Sequence, residues 1–429
     1  MKYWRNVLYI TSVLMYFSFT ISHAQVIWVP HLLGTGSGNH VHAADVDNDG
    51  DIDVLGATGT DYGGSAHWWE NQGGNSFAHH YLSYFPSSAL WVHAADLDLD
   101  SDMDILSAVW GNIGIVWFEN DGAQNFTYHQ IHACHASCVY AADIDNDGDL
   151  DILGAACYED YFAWWENDGN QNFTRHIVGS SSGARCIYTC DIDGDSDLDI
   201  VGASYMDNLL WWENDGNQNF TEHIIDYGPG YAYYVYALDI DRDGDVDVIT
   251  NGGGVTWWEN DGTQNFARHV LNLGGGCVNI WVADADDDGD FDIFYPRCFP
   301  SYAQRLSWFE NDGNMGFTEH FINESYTGPK AVYTKRLNTP GDMALLEATA
   351  VTFVWWGRIL LDVDENDVSA LNHDGLGITI FKGHLQLPRG KKCKVFDITG
   401  RAVEPSSIKP GIYFIEIDGV VTQKVVKVR

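Results

Sequence analysis

The sequence predicts an all-β fold, a seven-bladed β-propeller followed by a small C-terminal β-sandwich, because three sub-motifs recur in fixed order along most of the 429 residues. The first is an aromatic residue followed three positions later by histidine: Trp28/His31, Phe77/His80, Phe126/His129, Phe173/His176, Phe220/His223, Phe266/His269 and Phe317/His320. The second is an apolar run leading into an Asp-rich loop that begins at Asp45, Asp96, Asp143, Asp191, Asp239 and Asp284. The third is an aromatic pair: Trp68-Trp69, Trp117-Phe118, Trp164-Trp165, Trp211-Trp212, Trp257-Trp258, Trp308-Phe309 and Trp355-Trp356. Successive Asp loops start 51, 47, 48, 48 and 45 residues apart, a period that suits a four-stranded blade better than a solenoid coil.

Each unit supplies four short strands: the run before the Asp loop, the run after it, the aromatic-pair strand and the Phe-x-x-His strand. Asn-Asp-Gly joins the last two and is a strong hairpin signal. Adjacent strand residues point to opposite faces, so two neighbouring tryptophans need both faces buried, as they are between stacked blades. A seventh Asp loop survives as a relic: aligning Val332-Tyr333 with Val139-Tyr140 sets Arg336, Asn338, Pro340, Asp342 and Ala344 on the five Asp positions. After Trp355-Trp356 no Phe-x-x-His strand follows, whereas residues 26–33 supply one before the first blade. The N-terminal strand is therefore expected to complete the seventh blade and lock the ring, in preference to Arg358-Ile-Leu-Leu.

The chain holds 22 basic and 61 acidic residues, a net charge of −39, which excludes nucleic-acid binding as a general property of the surface. With 45% hydrophobic and 14% aromatic residues there is ample material for a packed core. Lys2 and Arg5, the apolar residues 7–20 and Ser22-His23-Ala24 read as a signal peptide cleaved before Gln25. The expected organisation is a signal peptide at 1–24, the propeller at 25–357, a linker at 358–370 and a C-terminal β-domain at 371–429. No other segment is long and apolar enough for a transmembrane helix.

The Asp loops carry carboxylates at positions 1, 3, 5, 7 and 9. They are Asp45, Asp47, Asp49, Asp51 and Asp53; Asp96, Asp98, Asp100, Asp102 and Asp104; Asp143, Asp145, Asp147, Asp149 and Asp151. The other three are Asp191, Asp193, Asp195, Asp197 and Asp199; Asp239, Asp241, Asp243, Asp245 and Asp247; Asp284, Asp286, Asp288, Asp290 and Asp292. Alternate aspartates in a tight loop aim several oxygens at one point, the chemistry that calcium requires. About six ions are expected, with side chains from positions 1, 3, 5 and 9 and a backbone carbonyl from position 7. Position 6 is Gly except at Ser101 and Ser196, where strain is expected. Without a cation five carboxylates in nine residues would repel one another.

The Asp-x-Asp-x-Asp-Gly-Asp-x-Asp loop followed by Trp-Trp-Glu-Asn-Asp-Gly resembles the FG-GAP/VCBS repeat family, which is related in design to the integrin α-subunit propeller. The resemblance covers residues 26–356. It implies calcium in the loop between the first two strands of each blade, and it implies no single activity. The C-terminal elements Asp397-Ile-Thr-Gly-Arg401, Pro410-Gly-Ile-Tyr413 and Lys424-Val-Val-Lys-Val428 resemble a type A sorting domain of bacterial type IX secretion. Residues 366–388 match that pattern poorly. This second resemblance implies export through the type IX machinery, then removal of the domain with release or surface attachment.

The seven aromatic–His strands and the Glu of Trp-Trp-Glu-Asn are expected to pack rather than to catalyse, since they repeat at one phase. Gly34-Thr-Gly36-Ser-Gly38 leads into a strand and is not read as a phosphate loop. The segment His132-Ala-Cys134-His135-Ala-Ser-Cys138 could hold zinc or contribute to disulfides; export favours disulfides. Cys277 is expected to pair with Cys298 across the sixth loop, Cys157 with Cys138 or Cys134, and Cys393 is expected to be free. The rim opposite the Asp loops carries Tyr62, Trp110, Tyr158, Tyr161, Tyr205, Tyr231 and Tyr302, a candidate face for a glycan or protein ligand. The functional expectation is a secreted or cell-surface binding and adhesion module with structural calcium. The alternative is a carbohydrate-active enzyme, a lyase or hydrolase on a propeller scaffold, for which 22 basic residues offer few groups to hold an acidic sugar.

Overall fold

The computed structural model describes residues 25–429 except 61, 74–75, 207, 228–231, 252–253, 272–278, 298–304, 324–327, 337–342, 362–369, 374–375, 382–392, 398–401, 404–410, 418–419 and 428–429. Among the described residues every regular element is a β-strand, and no helix is long and apolar enough to cross a membrane. Seven four-stranded antiparallel sheets form the propeller. The expected signal segment, residues 337–342 of the relic loop and the Cys277–Cys298 pair lie outside the described residues.

The third blade shows how the repeat becomes a sheet. Strands β10 (Ala136–Ala142), β11 (Asp151–Ala156), β12 (Tyr161–Asn167) and β13 (Phe173–Ser180) pair in chain order. Trp164 lies opposite His176, and the two rings stack with centroids 4.7 Å apart. The same stack recurs as Trp68–His80 at 4.5 Å, Trp117–His129 at 4.6 Å, Trp211–His223 at 4.4 Å and Trp257–His269 at 4.4 Å. Each histidine also meets the glutamate of the aromatic-pair strand, as in His176–Glu166 at 2.7 Å and His129–Glu119 at 2.7 Å. The aromatic–His motif is thus a cross-strand ladder within the blade.

Neighbouring blades interlock through the aromatic at the start of the outer strand. Phe126 of the second blade meets Trp68 of the first at 5.9 Å, and Phe173 of the third meets Trp117 of the second at 6.1 Å. Trp68, Trp117 and Trp164 on one face and Trp69, Phe118 and Trp165 on the other are all buried, so both faces of the aromatic-pair strand are covered.

The ring closes through the N-terminal strand. β1 (Gln25–Thr35) pairs with β28 (Thr352–Leu361), giving a seventh sheet in the order β1-β28-β27-β26, where β26 is Pro329–Arg336 and β27 is Met343–Thr349. His31 stacks on Trp355 at 4.1 Å, the same ladder contact supplied from the other end of the chain. Phe77 of the first blade lies 6.4 Å from Trp355 of the seventh. The Arg358–Leu361 stretch continues β28 beyond the boundary expected at 357, because β1 is long enough to pair with it as far as Gln25↔Leu361.

Six further strands, β29 (Ala370–His373), β30 (Leu376–Phe381), β31 (Cys393–Asp397), β32 (Ala402–Val403), β33 (Gly411–Ile417) and β34 (Val420–Lys427), form one sheet in the order β29-β30-β34-β33-β31-β32. β30 and β34 run parallel and the other pairs antiparallel.

Candidate functional site

The Asp loops join the first and second strands of a blade, and the Asn-Asp-Gly turns join the third and fourth, so antiparallel pairing brings both to one face. In the third loop Asp143 Oδ1 accepts from the Asp147 N–H at 3.1 Å and its Oδ2 from Gly148 at 3.0 Å. Asp147 Oδ1 accepts from the Asp149 N–H at 3.0 Å. Ligand-capable oxygens converge within 4.8 Å in the sets Asp45/Asp47/Asp53, Asp143/Asp145/Asp151, Asp191/Asp193/Asp199, Asp96/Asp98/Asp100 and Asp239/Asp241/Asp243.

Position 9 joins the loop to the hairpin. Asp151 is fully buried; its Oδ1 accepts from the Asn167 N–H at 2.8 Å and its Oδ2 from the Ile144 N–H at 3.0 Å. The Asn167 side chain then donates to Leu150 O at 3.2 Å in its own blade and to Leu97 O at 3.0 Å in the preceding loop. The same pattern links Asn120 to Val46 O, Asn214 to Ile144 O and Asn260 to Ile192 O. The asparagine of Trp-Trp-Glu-Asn is therefore an interblade staple, a role its position in the repeat did not reveal.

Position 7 behaves differently. The Asp149 and Asp102 carboxylates lie against the glycines of the adjoining turns, Gly169 and Gly122. Asn48 at position 4 of the first loop donates to Asp102 Oδ1 of the second at 2.9 Å, and Arg242 of the fifth loop meets Asp290 of the sixth at 3.1 Å. These side chains link neighbouring loops, which leaves the backbone of position 7 as its contribution to any cation.

Electrostatics favour a bound cation. Burial pushes the carboxyls of Asp53, Asp104, Asp151, Asp199 and Asp247 up to about 7 and that of Asp292 up to about 8. Burial first and Asp147 second raise Asp145. Asp96 Oδ1, Asp239 Oδ1 and Asp284 Oδ1, all at position 1, are buried and accept no hydrogen bond from the protein. A buried carboxylate oxygen without a protein donor, set among other carboxylates, is suited to a cation. The loop backbone is left-handed at position 4 (Asn48, φ 58°; Leu99, φ 59°) and at position 6 (Ser101, φ 77°; Ser196, φ 81°). The strain expected at the two serines is thus present, and Leu99 adds a third instance.

On the opposite rim the connections are irregular. Trp110, Cys157, Tyr158, Asp160, Ser182, Gly183, Arg185, Tyr205, Met206 and Tyr233 line one groove of about 510 Å³ across the second to fifth blades. Trp110 and Tyr158 pack at 4.9 Å, Tyr205 and Tyr233 at 5.2 Å, and the Arg185 guanidinium sits 5.9 Å from the Tyr233 ring centre. Tyr158 is 67% exposed. Of the sequence-selected aromatics, Trp110, Tyr158 and Tyr205 come together here; Tyr233, Met206 and Arg185 were missed because their gathering depends on blade-to-blade contacts. Tyr62 is exposed at the rim of the first blade, outside this groove, and Tyr231 and Tyr302 lie outside the described residues. Tyr161 corrects the expectation: it is only 8% exposed, buried beside Cys134, with Arg175 over its ring.

The cysteine–histidine segment is likewise committed. His135 meets Glu159 at 2.8 Å, His132 accepts from Arg175 at 2.9 Å, and Cys138 faces Cys186 rather than Cys134 or Cys157.

The channel holds a feature the sequence reading passed over. Three residues before each loop stands an aromatic ring, and His42, His93, Tyr140, Tyr188, Tyr236, Trp281 and Tyr333 touch in sequence around the axis at 4.2–5.2 Å. All but Tyr236 line a cavity of about 170 Å³.

Comparison with known proteins agrees with this architecture. Residues 45–107, 96–154, 143–202 and 191–250 match the model of the FG-GAP-like repeat. No curated protein matches the chain. Two crystal structures of BBS1N in complex with ARL6DN, soaked with lead or mercury, superpose with a TM-score of 0.54. The first is 10% identical and covers 79% of this chain and 98% of its own; the second is 11% identical and covers 78% and 98%. At that identity the likeness concerns the fold alone. The chain is a seven-bladed β-propeller that carries FG-GAP-like repeats over residues 45–250.

Proposed function

We propose that the protein is a secreted or cell-surface interaction module, a calcium-stabilised propeller that binds a protein partner through the aromatic groove opposite its Asp loops. The observation that carries this reading is the groove's composition. Trp110, Tyr158, Tyr205 and Tyr233 stand with Met206 and Arg185, the residue types enriched at protein interfaces and their hot spots. They stand on irregular connections of a scaffold that is otherwise repetitive, where recognition commonly resides. The structural neighbours are complexes of BBS1N with ARL6DN, one protein bound to another, which agrees with this class of role.

A glycan is the other ligand expected from aromatic faces, but it needs free polar groups to fix its hydroxyls. Asp160 is already used, accepting from the Gly183 N–H at 2.8 Å. Arg185 is the one cationic side chain among the groove's lining residues, too little to hold an acidic polymer for lyase chemistry.

Calcium would be held by the side chains of positions 1, 3, 5 and 9 in each Asp loop and by the backbone of position 7. It would neutralise the carboxylates that burial and crowding otherwise drive toward protonation. Export through the type IX machinery is supported only by the C-terminal motifs, and the intact mass of extracellular protein tests it: the sorting domain should be missing.

The groove is tested with labelled mature protein on a glycan array and in cross-linking against the surface proteins of the source cell. The reading expects a specific protein partner lost with Trp110→Ala and Tyr158→Ala, at unchanged calcium content and melting temperature. Binding that survives both substitutions, or that is confined to glycans, would overturn it.

A further inference from the structure

Five residues before each Asp loop the innermost strand reaches the channel wall, and the blades differ there. His40, Trp91 and Tyr234 of the first, second and fifth blades stack on one another, Trp91 at 3.8 Å from His40 and 5.5 Å from Tyr234. Those three rings and Cys186 line the central cavity at this level. The third and fourth blades carry small side chains, Cys138 in β10 and Cys186 in β14 (Ala184–Cys190), and their Sγ atoms lie 3.5 Å apart.

We infer that Cys138 and Cys186 form a disulfide that ties the third blade to the fourth when the protein folds under oxidising conditions. A disulfide bond is about 2.05 Å long, so the two sulfurs need to close by roughly 1.5 Å, a distance that modest side-chain rotation supplies. The backbones are already held side by side: Ser137 Oγ donates to Arg185 O at 2.8 Å and to Ala184 O at 3.2 Å. Both cysteines follow the same irregularity in strand pairing, at Ala136/Cys138 and Ala184/Cys186, which turns the two side chains the same way. The other described cysteines near this region have different surroundings. Cys134 lies against Tyr161, and Cys157 lies beside Arg185.

The chemistry is thiol–disulfide exchange with a disulfide oxidant such as glutathione disulfide. One cysteine thiolate attacks the oxidant, forming a mixed disulfide and releasing one glutathione thiolate. The second cysteine thiolate then attacks the protein-side sulfur, forming the Cys138–Cys186 bond and releasing the second glutathione. Two protein thiols are oxidised, one disulfide is reduced, and the protons pass to the released thiolates. Both sulfurs are buried in the closed ring, and burial pushes the Cys138 thiol well up. The exchange therefore belongs to folding, before the blades close, and the finished bond is shielded from reductant in the native state.

The test uses the full chain, denatured and reduced, then refolded with reduced and oxidised glutathione. The refolded protein is unfolded in denaturant with iodoacetamide and mapped without reduction. The expected result is a Cys138 peptide joined to a Cys186 peptide, with Cys134, Cys157 and Cys190 alkylated. Cys138→Ala and Cys186→Ala should each leave the remaining partner alkylated. The urea midpoint should fall on prior reduction in the wild type and stay unchanged in the double alanine variant. If refolding gives no native protein, material secreted into an oxidising compartment provides the same map. Alkylation of both cysteines in oxidatively folded protein, or linkage of Cys138 to another cysteine, would overturn the inference.

Discussion

The two faces of the propeller obey different rules. On the Asp-loop face the blades repeat the same bonds: a buried position 9 joins loop to hairpin in six of them, and Asn120, Asn167, Asn214 and Asn260 each reach the preceding blade. On the opposite face the connections change from blade to blade, and aromatic rings from several blades meet in one groove. A contact repeated from blade to blade serves the ring, because every blade must hold its shape and meet its neighbours. A contact made once is free to serve something else. The difference separates stability from recognition and can be tested on each side.

The largest expected effect lies on the repetitive face. Asp151→Ala removes the acceptor of two buried N–H groups, those of Ile144 and Asn167. At about 1–3 kcal/mol for each unpaired group, stability should fall by roughly 2–6 kcal/mol, and one cation site should be lost. Urea denaturation and calcium analysis check both. Asp168→Ala, on the exposed turn, should move the midpoint far less.

A second effect comes from the channel, where burial pushes His40 down to about 3 and His93 to about 4, with His93 also lowering His40. His42 and Lys335 share this surrounding. Because these folded-state values lie below the ordinary histidine value, the unfolded chain binds more protons as pH falls. The stability that neutral histidine contributes is full above about 6.5 and is lost progressively down to the folded values. His93→Tyr, the residue that Tyr140 supplies in the next blade, should lessen the fall in melting temperature between pH 7 and pH 5. An unchanged acid slope would remove His93 from the account.

A smaller gain is expected at Leu99, whose φ of 59° is left-handed at a place where the first and third loops carry asparagine. Leu99→Asn should raise stability by about 1 kcal/mol, read as a shift in the urea midpoint.

Much of the repetitive face was legible in the sequence because periodicity multiplies weak signals. The seven blades, the Asp loops and the completion of the last blade by the N-terminal strand follow from residues such as His31, which carries a blade motif with no blade before it. The aromatic ring around the channel was equally periodic but went unread, since His42, Tyr140 and Trp281 differ in type while sharing a phase. The irregular face was only half legible. Trp110 and Tyr158 stand out as aromatics on variable connections, whereas Tyr161, one position into β12, is turned inward by the space beside Cys134 and Arg175. Arg185, Tyr233 and the approach of Cys138 to Cys186 depend on how one blade seats against the next, which no local pattern encodes.

The most direct test of the contrast is hydrogen exchange on the same protein, first calcium-loaded and then treated with EDTA. The account predicts lost protection at residues 143–151 and 164–172, where the loop and hairpin share Asp151. It predicts unchanged protection at 157–160 and 204–206, on the groove side. Equal loss on both faces, or loss confined to the groove side, would contradict it.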